Sequence, residues 1–478
     1  MKISIKVTSD FICPWCRIAD ARLEKVLQSL PEDVEVEVDW LPLELNPGMP
    51  LAGMDRTAYR RAKFGSWAYS HQLDEHTVEK GKTDDVTFNY PAIQRVPNTE
   101  TRPRKRAIII GGSLGGLFAG NMLQQAGWEV DIFERSARDL DSRGGGIVLQ
   151  PEVVELIRRS GIERNWDDLG VRSSHRVVYR PDGSVEHRQY APQVQTSWSL
   201  IYSLMRSTIS DIHYHKNHVL TDVAFPDNHH VTALFEGGAK VTGDLLIGAD
   251  GNGSFVRKLL WSDTPEYAGY IAWRGLVPEN DMPALAREQL HGDFAFASNE
   301  GSHILGYLVP GADNDLRPGH RFYNWVWYRV VDDVQREAIM TGTDGVARSY
   351  SVPEGLLSAR WKAHLKEEAQ RLLPPGFRDI VQATKEPFAQ AIRDLAVNKM
   401  VKGRVILLGD AAAIPRPHTA ASTSKAAANA LALGDALKAW PDDTDKALAE
   451  WEGEQLFRGK YLRQMGMSMG NRLLFGSA

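Results

Sequence analysis

The chain has 478 residues, of which 43% are hydrophobic and 24% charged, and its 56 basic and 61 acidic side chains leave a formal net charge of -5. This composition is ordinary for a folded globular protein and excludes a disordered or fibrous chain. The acidic balance provides no overall basic field for a nucleic-acid partner, and no apolar run approaches the ~18 residues of a membrane-spanning helix.

The length suggests roughly three domains of about 150 residues each. The first residues, MKISIKVTSD, alternate between polar and apolar side chains, whereas a signal peptide needs an unbroken apolar stretch. The chain has two cysteines, three positions apart, which argues against a disulfide-stapled secreted scaffold. We therefore expect a cytoplasmic protein.

The N-terminal residues predict one βαβ unit. MKISIKVTSDF and VEVEVDWLPLEL alternate as strands do, and CRIADARLEKVLQSL between them has helical spacing. Cys13 and Cys16 stand at the start of that helix in a Cys-Pro-Trp-Cys pair, where the helix dipole and Arg17 would favour a thiolate. One such pair lacks the four ligands that zinc prefers, so we predict no metal site.

The segments SDFICPWC, ELNPGMP and FNYPAIQRVPNT resemble the DsbA-like family of the FrnE type, over residues 1–99. The resemblance implies disulfide exchange through Cys13 and Cys16. The rest of that thioredoxin-like sheet, with the cis-proline facing the cysteines, is missing from this stretch. One helix and two strands cannot cover both faces of a sheet. The fragment is therefore expected to dock on the rest of the chain, to be partly ordered, or to have lost its cysteine function.

Prolines and basic residues in PAIQRVPNTETRPRKR predict a linker at residues 100–106, before a new domain begins. RAIIIGGSLGGLFAGNMLQQAGWEVDIFER then predicts a strand, a glycine-rich turn, a helix and a strand that ends at Glu134. Gly111, Ser113 and Gly116 have the spacing of a dinucleotide fingerprint, with serine in place of its second glycine. Phosphates would rest on the helix N-terminus, and Glu134 would bind an adenosine ribose.

Two later apolar strands end in similar corners, LLIGADGNGSFVR and VILLGDAAAIPRPH. Their continuous apolar runs suit strands that are buried on both faces of a sheet. YAGYIAWRGLV, HILGYLVPG and RFYNWVWYRVV between them predict a second, β-rich region, and helices follow the last corner. These patterns divide the rest of the chain into residues 107–260, 261–385, 386–440 and 441–478.

The three corners together resemble the FAD-dependent aromatic hydroxylases, the single-component flavin monooxygenases, from about residue 103 to the C-terminus. YAGYIAWRGLV and GDAAAIPRPHTAA are most similar to the 2,6-dihydroxypyridine 3-hydroxylase group. The resemblance implies an α/β fold with a Rossmann-like FAD-binding domain, a β-sheet substrate domain and C-terminal helices. It assigns a first FAD-binding segment to 107–260, a mainly substrate-binding segment to 261–385, a returning FAD-binding segment to 386–440 and a C-terminal helix to 441–478. It implies that the cofactor is bound by Gly111, Ser113, Gly116, Glu134, Arg135, Arg143, Asp250, Gly251, Gly409 and Asp410.

The same resemblance implies the reaction. NADH or NADPH would reduce FAD, and the reduced flavin would use O2 to place one oxygen on an electron-rich aromatic or N-heteroaromatic ring. Such chemistry needs a pocket that excludes water. Only one nucleotide fingerprint is present, so the nicotinamide nucleotide is expected to bind transiently beside the flavin. Members of the family are often dimers, and a homodimer is expected on that ground alone.

Four residues are candidates for the substrate region. Trp273 and Arg274 could line the pocket, although alternating aromatic residues in a strand more often pack one face of a sheet. The carbonyl of Pro417 would lie beside flavin and substrate, as the family resemblance implies. His418 could help to deprotonate a ring hydroxyl, because imidazole titrates near neutral pH.

One departure from the family pattern affects flavin affinity. TAASTSKAA stands where relatives carry glycines, and Ser422 and Thr423 would tolerate a positive φ poorly. Alternatives are therefore a non-catalytic flavin-binding protein and a thiol–disulfide oxidoreductase acting through Cys13 and Cys16. A third alternative is a halogenase or a flavin reductase that acts on lipids. NWVWYRV lies in the wrong region for the Trp-x-Trp-x-Ile-Pro segment of halogenases and lacks its Ile-Pro.

Overall fold

The computed structural model describes residues 2–9, 13–31, 34–42, 54–90, 95–96, 105–138, 140 and 145–476. The chain divides into two compact units, Met1–Pro103 and Arg104–Ala478. The division falls inside the predicted linker, although the first strand of the second unit already begins at Arg106. Over the described ranges, no helix is both long enough and apolar enough to span a membrane.

The first unit contains the predicted βαβ arrangement and two further helices. Its two longer strands pair in parallel, with Ile3 opposite Val36, and the two short strands pair antiparallel. The elements are β1 (Lys2–Ser9), α1 (Pro14–Gln28), β2 (Glu35–Pro42), β3 (Met54–Asp55), α2 (Arg56–Phe64), α3 (Trp67–Lys82) and β4 (Arg95–Val96).

This unit buries little apolar surface. The residues of β1 alternate between exposed and half-buried, and none of them is buried. The hydrophobic residues that are buried in the described part of the unit are Ile18, Ala21 and Val86. Polar contacts add to the packing, since Asp74 pairs with the guanidinium groups of both Arg56 and Arg60. Among the described residues, this two-stranded sheet therefore contributes little to a hydrophobic core.

The second unit contains two large sheets and a helical C-terminus. Its strands are β5 (Arg106–Ile110), β6 (Glu129–Phe133), β7 (Gly146–Val148), β8 (Val171–Tyr179), β9 (Val185–Ser197), β10 (Tyr214–His215), β11 (Leu220–Ala224), β12 (Val231–Phe235), β13 (Lys240–Gly243), β14 (Leu245–Gly248), β15 (Glu266–Pro278), β16 (Phe294–Asn299), β17 (Ser302–Val309), β18 (Phe322–Val330), β19 (Ser351–Val352), β20 (Phe388–Ala396), β21 (Val401–Lys402), β22 (Val405–Leu407) and β23 (Ala413–Ile414).

The helices of this unit cover both sheets. They are α4 (Leu114–Gln125), α5 (Pro151–Arg159), α6 (Trp198–Arg206), α7 (Phe255–Leu260), α8 (Ala284–Leu290), α9 (Asp333–Met340), α10 (Ala359–Leu372), α11 (Pro375–Ala383), α12 (Ser422–Ala439) and α13 (Thr444–Phe475).

A mainly parallel sheet brings the three predicted corners together. Its strand order is β10-β6-β5-β14-β22-β21. Ile110 on β5 lies opposite Gly248 on β14, and Gly248 lies opposite Leu407 on β22. Because adjacent parallel strands end at the same edge of a sheet, the three corners follow one another along that edge. The fold therefore confirms the Rossmann-like arrangement expected from the sequence.

A second, mixed sheet follows the order β19-β20-β15-β18-β17-β16-β8-β9-β7, with β23 pairing with β20. One face packs against α8 to α11, where Trp325 and Trp327 are completely buried. The other face carries Tyr270, Arg274 and Tyr328. Strands β7 to β9 come from residues 146–197, outside the predicted substrate segment, because β8 pairs with the distant strand β16. Local sequence patterns do not reveal such long-range pairing.

Candidate active site

The first corner is a glycine turn with no room for side chains. Gly111 has φ +111°, and a Cβ atom there would lie 2.5 Å from the carbonyl oxygen of Ala249. A Cβ atom on Gly116 would lie 1.9 Å from the carbonyl oxygen of Gly111. Ser113 has φ -82° and no capping hydrogen bond to α4, so a serine is tolerated where the fingerprint has glycine. The N-terminal amides of α4 are therefore available to an anion, as a dinucleotide site requires.

Glu134 is held directly beside this turn. Its buried carboxylate accepts hydrogen bonds from the backbone N–H groups of Gly112, at 2.8 Å, and Ser136, at 2.9 Å. Tyr214 supports the turn from β10, because its hydroxyl donates to the carbonyl oxygen of Gly112 at 2.9 Å. Arg135 is exposed. Sequence reasoning missed Tyr214, since its contact with Gly112 crosses 102 positions of the chain.

The second corner follows β14. The N–H of Ala249 donates to the carbonyl oxygen of Ile110 at 2.9 Å, which fixes the corner beside the first one. The Asp250 carboxylate accepts from the backbone N–H groups of Phe255, at 2.6 Å, and Val256, at 3.1 Å, and from the Ser254 hydroxyl. Burial raises the pKa of Asp250. Asp250 therefore caps α7 and shapes the loop of Gly251.

Arg257 ties the second corner to the third. Its side chain is 1% exposed. Its Nη2 donates to the carbonyl oxygen of Asn252 and its Nη1 to that of Ala411, each at 2.8 Å. Burial lowers the pKa of Arg257. Arg257 therefore holds the second and third corners in fixed positions relative to each other.

The third corner follows β22 and rests on α12. Asp410 accepts hydrogen bonds from the Ser422 hydroxyl, at 2.7 Å, and from the Lys425 ammonium group, at 2.9 Å. Lys425 is 2% exposed and also donates to the carbonyl oxygen of Ala413. Gly409 has φ +65° and donates its N–H to Asn429. Sequence reasoning missed Lys425, because lysine in an alanine-rich helix usually lies on the surface.

The expected strain at the serine–threonine loop does not occur. Helix α12 begins at Ser422, so Ser422 and Thr423 both have helical conformation. The positive φ falls earlier, at Ala420, with φ 51° and ψ 21°. A single non-glycine residue in this left-handed region costs about 1–2 kcal/mol. The loop therefore gives no reason to expect that flavin affinity has been lost.

The two substrate candidates on β15 lie on opposite faces of the mixed sheet. Trp273 belongs to the apolar cluster with Trp325 and Trp327, under the covering helices. Arg274 lies on the other face, where its Nη1 donates to Gln390 at 2.9 Å. Successive residues of a strand point to opposite sides, so the two could not both face one pocket. We therefore withdraw Trp273 as a substrate residue.

His418 sits in an aromatic cluster on the same face as Arg274. Its Nε2 lies 2.9 Å from the Tyr270 hydroxyl, and its ring centroid lies 4.4 Å from that of Tyr328. Burial, with the nearby charges of His303 and Arg416, lowers the pKa of His418 to about 3. A neutral imidazole with so low a pKa is a weak base. The proton-abstracting role suggested by the sequence therefore does not fit this environment.

The segment that carries His418 is anchored by a buried ion pair. Arg416 donates from Nε to both oxygens of Asp394, at 2.9 and 3.0 Å, and from Nη2 to one of them, at 2.7 Å. Its Nη1 also donates to Asn471 on α13 at 2.9 Å. Both members of the ion pair have side chains that are 5% exposed. Pro417 between Arg416 and His418 is exposed.

Acid is expected to destabilise this cluster. Burial lowers the pKa of His303 to about 4 and is the main cause of the low pKa of His418. The unfolded chain binds protons near pH 6.5 that the folded cluster excludes, so the free energy of unfolding should fall as pH drops below about 6.5.

Chemical unfolding measured at about pH 7 and about pH 5 checks this expectation. The loss at low pH should shrink in the double variant His303→Gln, His418→Gln, but not in His230→Gln, which removes an exposed histidine paired with Asp227. An equal loss in the double variant and the natural protein would contradict it.

The cysteine pair has a different environment from the one expected. Cys13 is the N-cap of α1, with Pro14 at the first helical position. Burial is the largest cause of a raised pKa of the Cys13 thiol. Arg17 donates to Asp20 at 2.6 Å, so its charge is already paired. The expected thiolate at Cys13 is therefore not favoured.

Arg143, the remaining cofactor candidate, lies outside the described residues.

Comparisons with known proteins match both units. A family described as FAD binding domain-like matches residues 267–394, and a DSBA-like thioredoxin domain matches residues 4–104. The 2,6-dihydroxypyridine 3-monooxygenase of Paenarthrobacter nicotinovorans is 33% identical over 374 residues, which cover 78% of this chain and 92% of that protein. The 6-hydroxynicotinate 3-monooxygenase of Pseudomonas fluorescens is 26% identical, over 70% of this chain and 82% of that protein.

The comparison with solved structures agrees with the comparison of sequences. The solved structure of 2,6-dihydroxypyridine-3-hydroxylase from Arthrobacter nicotinovorans matches with a TM-score of 0.74 and 31% sequence identity. The match covers 79% of this chain and 95% of that one.

Proposed function

Because this chain belongs to the FAD-dependent aromatic monooxygenases, we propose that it hydroxylates an electron-rich, hydroxylated N-heteroaromatic ring of the pyridine type with O2 and NADH or NADPH. One observation carries the proposal. Three glycine corners follow adjacent parallel strands at one sheet edge, and the segment after the third corner brings His418 to Tyr270 on the mixed sheet.

The residues present fit FAD. The turn from Gly111 to Gly116 is a cradle that a Cβ atom would fill, and Glu134 lies where a ribose hydroxyl is bound in such folds. Asp410, with a side chain that is 33% exposed, would take the ribityl chain at the third corner. When bound, FAD supplies the electron transfer and the oxygen chemistry. The protein itself must bind, orient and shield the substrate.

His418 acts in this proposal as a hydrogen-bond donor. Burial raises the pKa of Tyr270 well above its usual range, so the Tyr270 hydroxyl keeps its proton and donates a hydrogen bond to Nε2 of His418. The neutral imidazole then carries its own proton on Nδ1. That N–H group would orient a substrate oxygen. The proton of the substrate hydroxyl would be accepted by a group other than His418.

The surrounding face of the sheet suits a small planar ring. Arg274 and Gln390 offer polar groups, and Tyr307 and Tyr328 are buried apolar neighbours. Apolar walls with few polar groups are typical of small-molecule sites and exclude water. The similar proteins named for 2,6-dihydroxypyridine and 6-hydroxynicotinate suggest a pyridine ring with hydroxyl groups as the first substrate to test.

The test is a coupled assay on the FAD-loaded protein. NADH or NADPH oxidation should accelerate when 2,6-dihydroxypyridine is added, and oxygen uptake should exceed hydrogen peroxide release. A phenol without the ring nitrogen is the matched comparison. Peroxide release equal to oxygen uptake with every ring tested would contradict hydroxylation, and bound flavin with no stimulated nucleotide oxidation would favour the non-catalytic flavin-binding alternative.

Removing one hydroxyl should separate orientation from cofactor binding. Tyr270→Phe deletes the hydrogen bond to His418, so the tautomer is no longer fixed, and we expect kcat/KM to fall by about tenfold. FAD content should not change. Tyr267→Phe is the control, because that hydroxyl lies on the same strand but donates to the carbonyl oxygen of Val331. Equal kcat/KM values for the two variants would contradict the role of Tyr270.

The remaining expectations belong to the same proposal. We also propose a homodimer, on the ground of resemblance to the family, and a cytoplasmic location. The alternative of thiol–disulfide exchange is not favoured, because burial raises the pKa of Cys13 and a thiol is a poor nucleophile. Insulin reduction that disappears in Cys13→Ser would reverse that judgement.

A further inference from the structure

Arg274 on β15 carries a positive charge that no carboxylate balances. Its Nη1 donates to the side-chain oxygen of Gln390 at 2.9 Å, and its Nε is buried and makes no hydrogen bond. Within the described ranges, no aspartate or glutamate forms an ion pair with Arg274. A half-buried guanidinium group with an unused donor favours a ligand that brings a negatively charged acceptor.

Asn324 on β18 provides a second unpaired donor on the same face of the mixed sheet. Its side-chain oxygen accepts the backbone N–H of Gly146 at 3.2 Å, which fixes the orientation of the amide. Its Nδ2 is buried and makes no hydrogen bond, and the whole residue is 2% exposed. Because Arg274 lies opposite Val326, Arg274 and Asn324 occupy adjacent rows of the sheet, about 7 Å apart along the strands.

Two consecutive glycines connect these two donors. A Cβ atom on Gly146 would lie 2.7 Å from Nδ2 of Asn324. A Cβ atom on Gly145 would lie 3.7 Å from Nη2 of Arg274 and, apart from the adjoining residues, would meet only the guanidinium group within 4 Å. The space between Gly145 and Arg274 is therefore open, and a ligand atom can approach the guanidinium group from this side.

This space lies on the face that carries the cluster of His418. Tyr328, whose ring centroid lies 4.4 Å from that of His418, is two residues from Val326 and therefore one row from Arg274. Burial raises the pKa of Tyr328, and the positive charge of Arg274 opposes that rise. The unpaired polar atoms of Arg274 and Asn324 are all hydrogen-bond donors, so a ring that presents acceptor oxygens is complementary to them.

We propose that Arg274, with Asn324, binds a negatively charged oxygen of the substrate, so that the protein acts on pyridine-type rings with two acidic oxygen substituents. The inference rests on the proposed function, in which His418 orients the first oxygen. Arg274 takes the second, which is either an ionised ring hydroxyl or a carboxylate. For a hydroxyl, the O–H bond breaks and the proton passes to solvent water as the ring binds, because the adjacent positive charge favours the ionised oxygen.

The test is ligand binding without turnover. The full chain with oxidised FAD, and without NADH or NADPH, is titrated with 2,6-dihydroxypyridine, 6-hydroxynicotinate and 2-hydroxypyridine, and the change in flavin absorbance gives dissociation constants. The natural protein should bind at least one of the first two more tightly than 2-hydroxypyridine, which lacks the second acidic oxygen. The tighter of the two shows whether the second group is a hydroxyl or a carboxylate.

Arg274→Gln should weaken binding of the preferred ligand by about 10- to 100-fold, and binding of 2-hydroxypyridine should hardly change. Arg274→Lys keeps the charge and should retain part of the affinity. Asn324→Asp keeps the acceptor for the Gly146 N–H but loses the unpaired donor, and should also weaken binding of the preferred ligand. Arg317→Gln removes an exposed arginine paired with Asp315 and should change none of the dissociation constants.

Flavin content and the thermal unfolding midpoint are measured on each variant. Unchanged affinity for the preferred ligand in a folded Arg274→Gln protein would overturn the inference, and so would an equal loss for 2-hydroxypyridine. Loss of FAD in both Arg274→Gln and Arg274→Lys would also overturn it, because Arg274 would then serve the cofactor. A protein that binds two-oxygen rings through Arg274 but hydroxylates none of them would support the inference while contradicting the proposed function.

Discussion

Replacing Gly116 by alanine is expected to reduce FAD affinity by at least about 100-fold. The added methyl group would lie 1.9 Å from the carbonyl oxygen of Gly111 and 3.2 Å from the side chain of Ile109. Backbone atoms cannot move aside as a flexible side chain can, so α4 must shift away from the turn. Its N-terminal amides would then no longer converge on the phosphates. Flavin absorbance of the purified protein and titration with FAD measure the loss.

The neighbouring glycine provides a matched control. A Cβ atom on Gly115 would meet its nearest neighbour, Leu408, at 3.7 Å, an ordinary contact. Gly115→Ala adds the same methyl group to the same helix and improves helix propensity by up to about 1 kcal/mol. FAD affinity should therefore change little. Equal losses in the two variants would show that the turn does not depend on the close approach at Gly116.

Asp394→Asn should destabilise the second unit by about 3–5 kcal/mol. The substitution keeps the size of the side chain but leaves the Arg416 guanidinium, 4% exposed, without its counter-charge. The remaining hydrogen bond to Asn471 cannot compensate for a buried charge. Chemical unfolding monitored by flavin release reports on this unit, because the three glycine corners lie within residues 104–478.

The same variant should also impair the site. Arg416 stands two residues before His418, and its guanidinium carbon lies 5.4 Å from the ring centroid of Tyr270. Release of Arg416 should therefore disturb the hydrogen bond between Tyr270 and His418, and kcat/KM should fall in the protein that remains folded.

An exposed ion pair is the control for this prediction. Glu454→Gln breaks the pair between Arg458 and Glu454 on α13, where the two side chains are 35% and 67% exposed. Surface pairs of this kind contribute about 0–1 kcal/mol. A stability loss for Asp394→Asn that is no larger than that for Glu454→Gln would contradict the anchoring role of the buried pair.

Local patterns in the sequence were sufficient to predict the three corners that we propose as the cofactor site. Gly111, Gly116 and Glu134 lie within one strand–turn–helix–strand segment, and their spacing alone predicts how they meet. The corners at Asp250 and Asp410 were recognisable for the same reason, since each follows a short apolar strand. The βαβ unit at the N-terminus was also predicted, because helical and strand periodicities are local properties.

The tertiary structure changed what several of these residues do. Asp250 was expected to bind the cofactor, and the fold in addition engages its carboxylate with two backbone N–H groups at the start of α7. His418 was expected to titrate near neutrality, yet its pKa falls to about 3 because the fold buries it beside His303 and Arg416. A strand pattern cannot tell which face is covered by helices, so it could not separate Trp273 from Arg274.

The sequence by itself therefore determined that three glycine corners and a DSBA-like N-terminal segment exist, because each is written in consecutive residues. Only the tertiary structure decided which groups support them. Lys425 beneath Asp410 and Arg257 between two corners both depend on contacts between distant segments. The burial and charge of a side chain depend on its neighbours in space, and these are set by the packing of the whole fold.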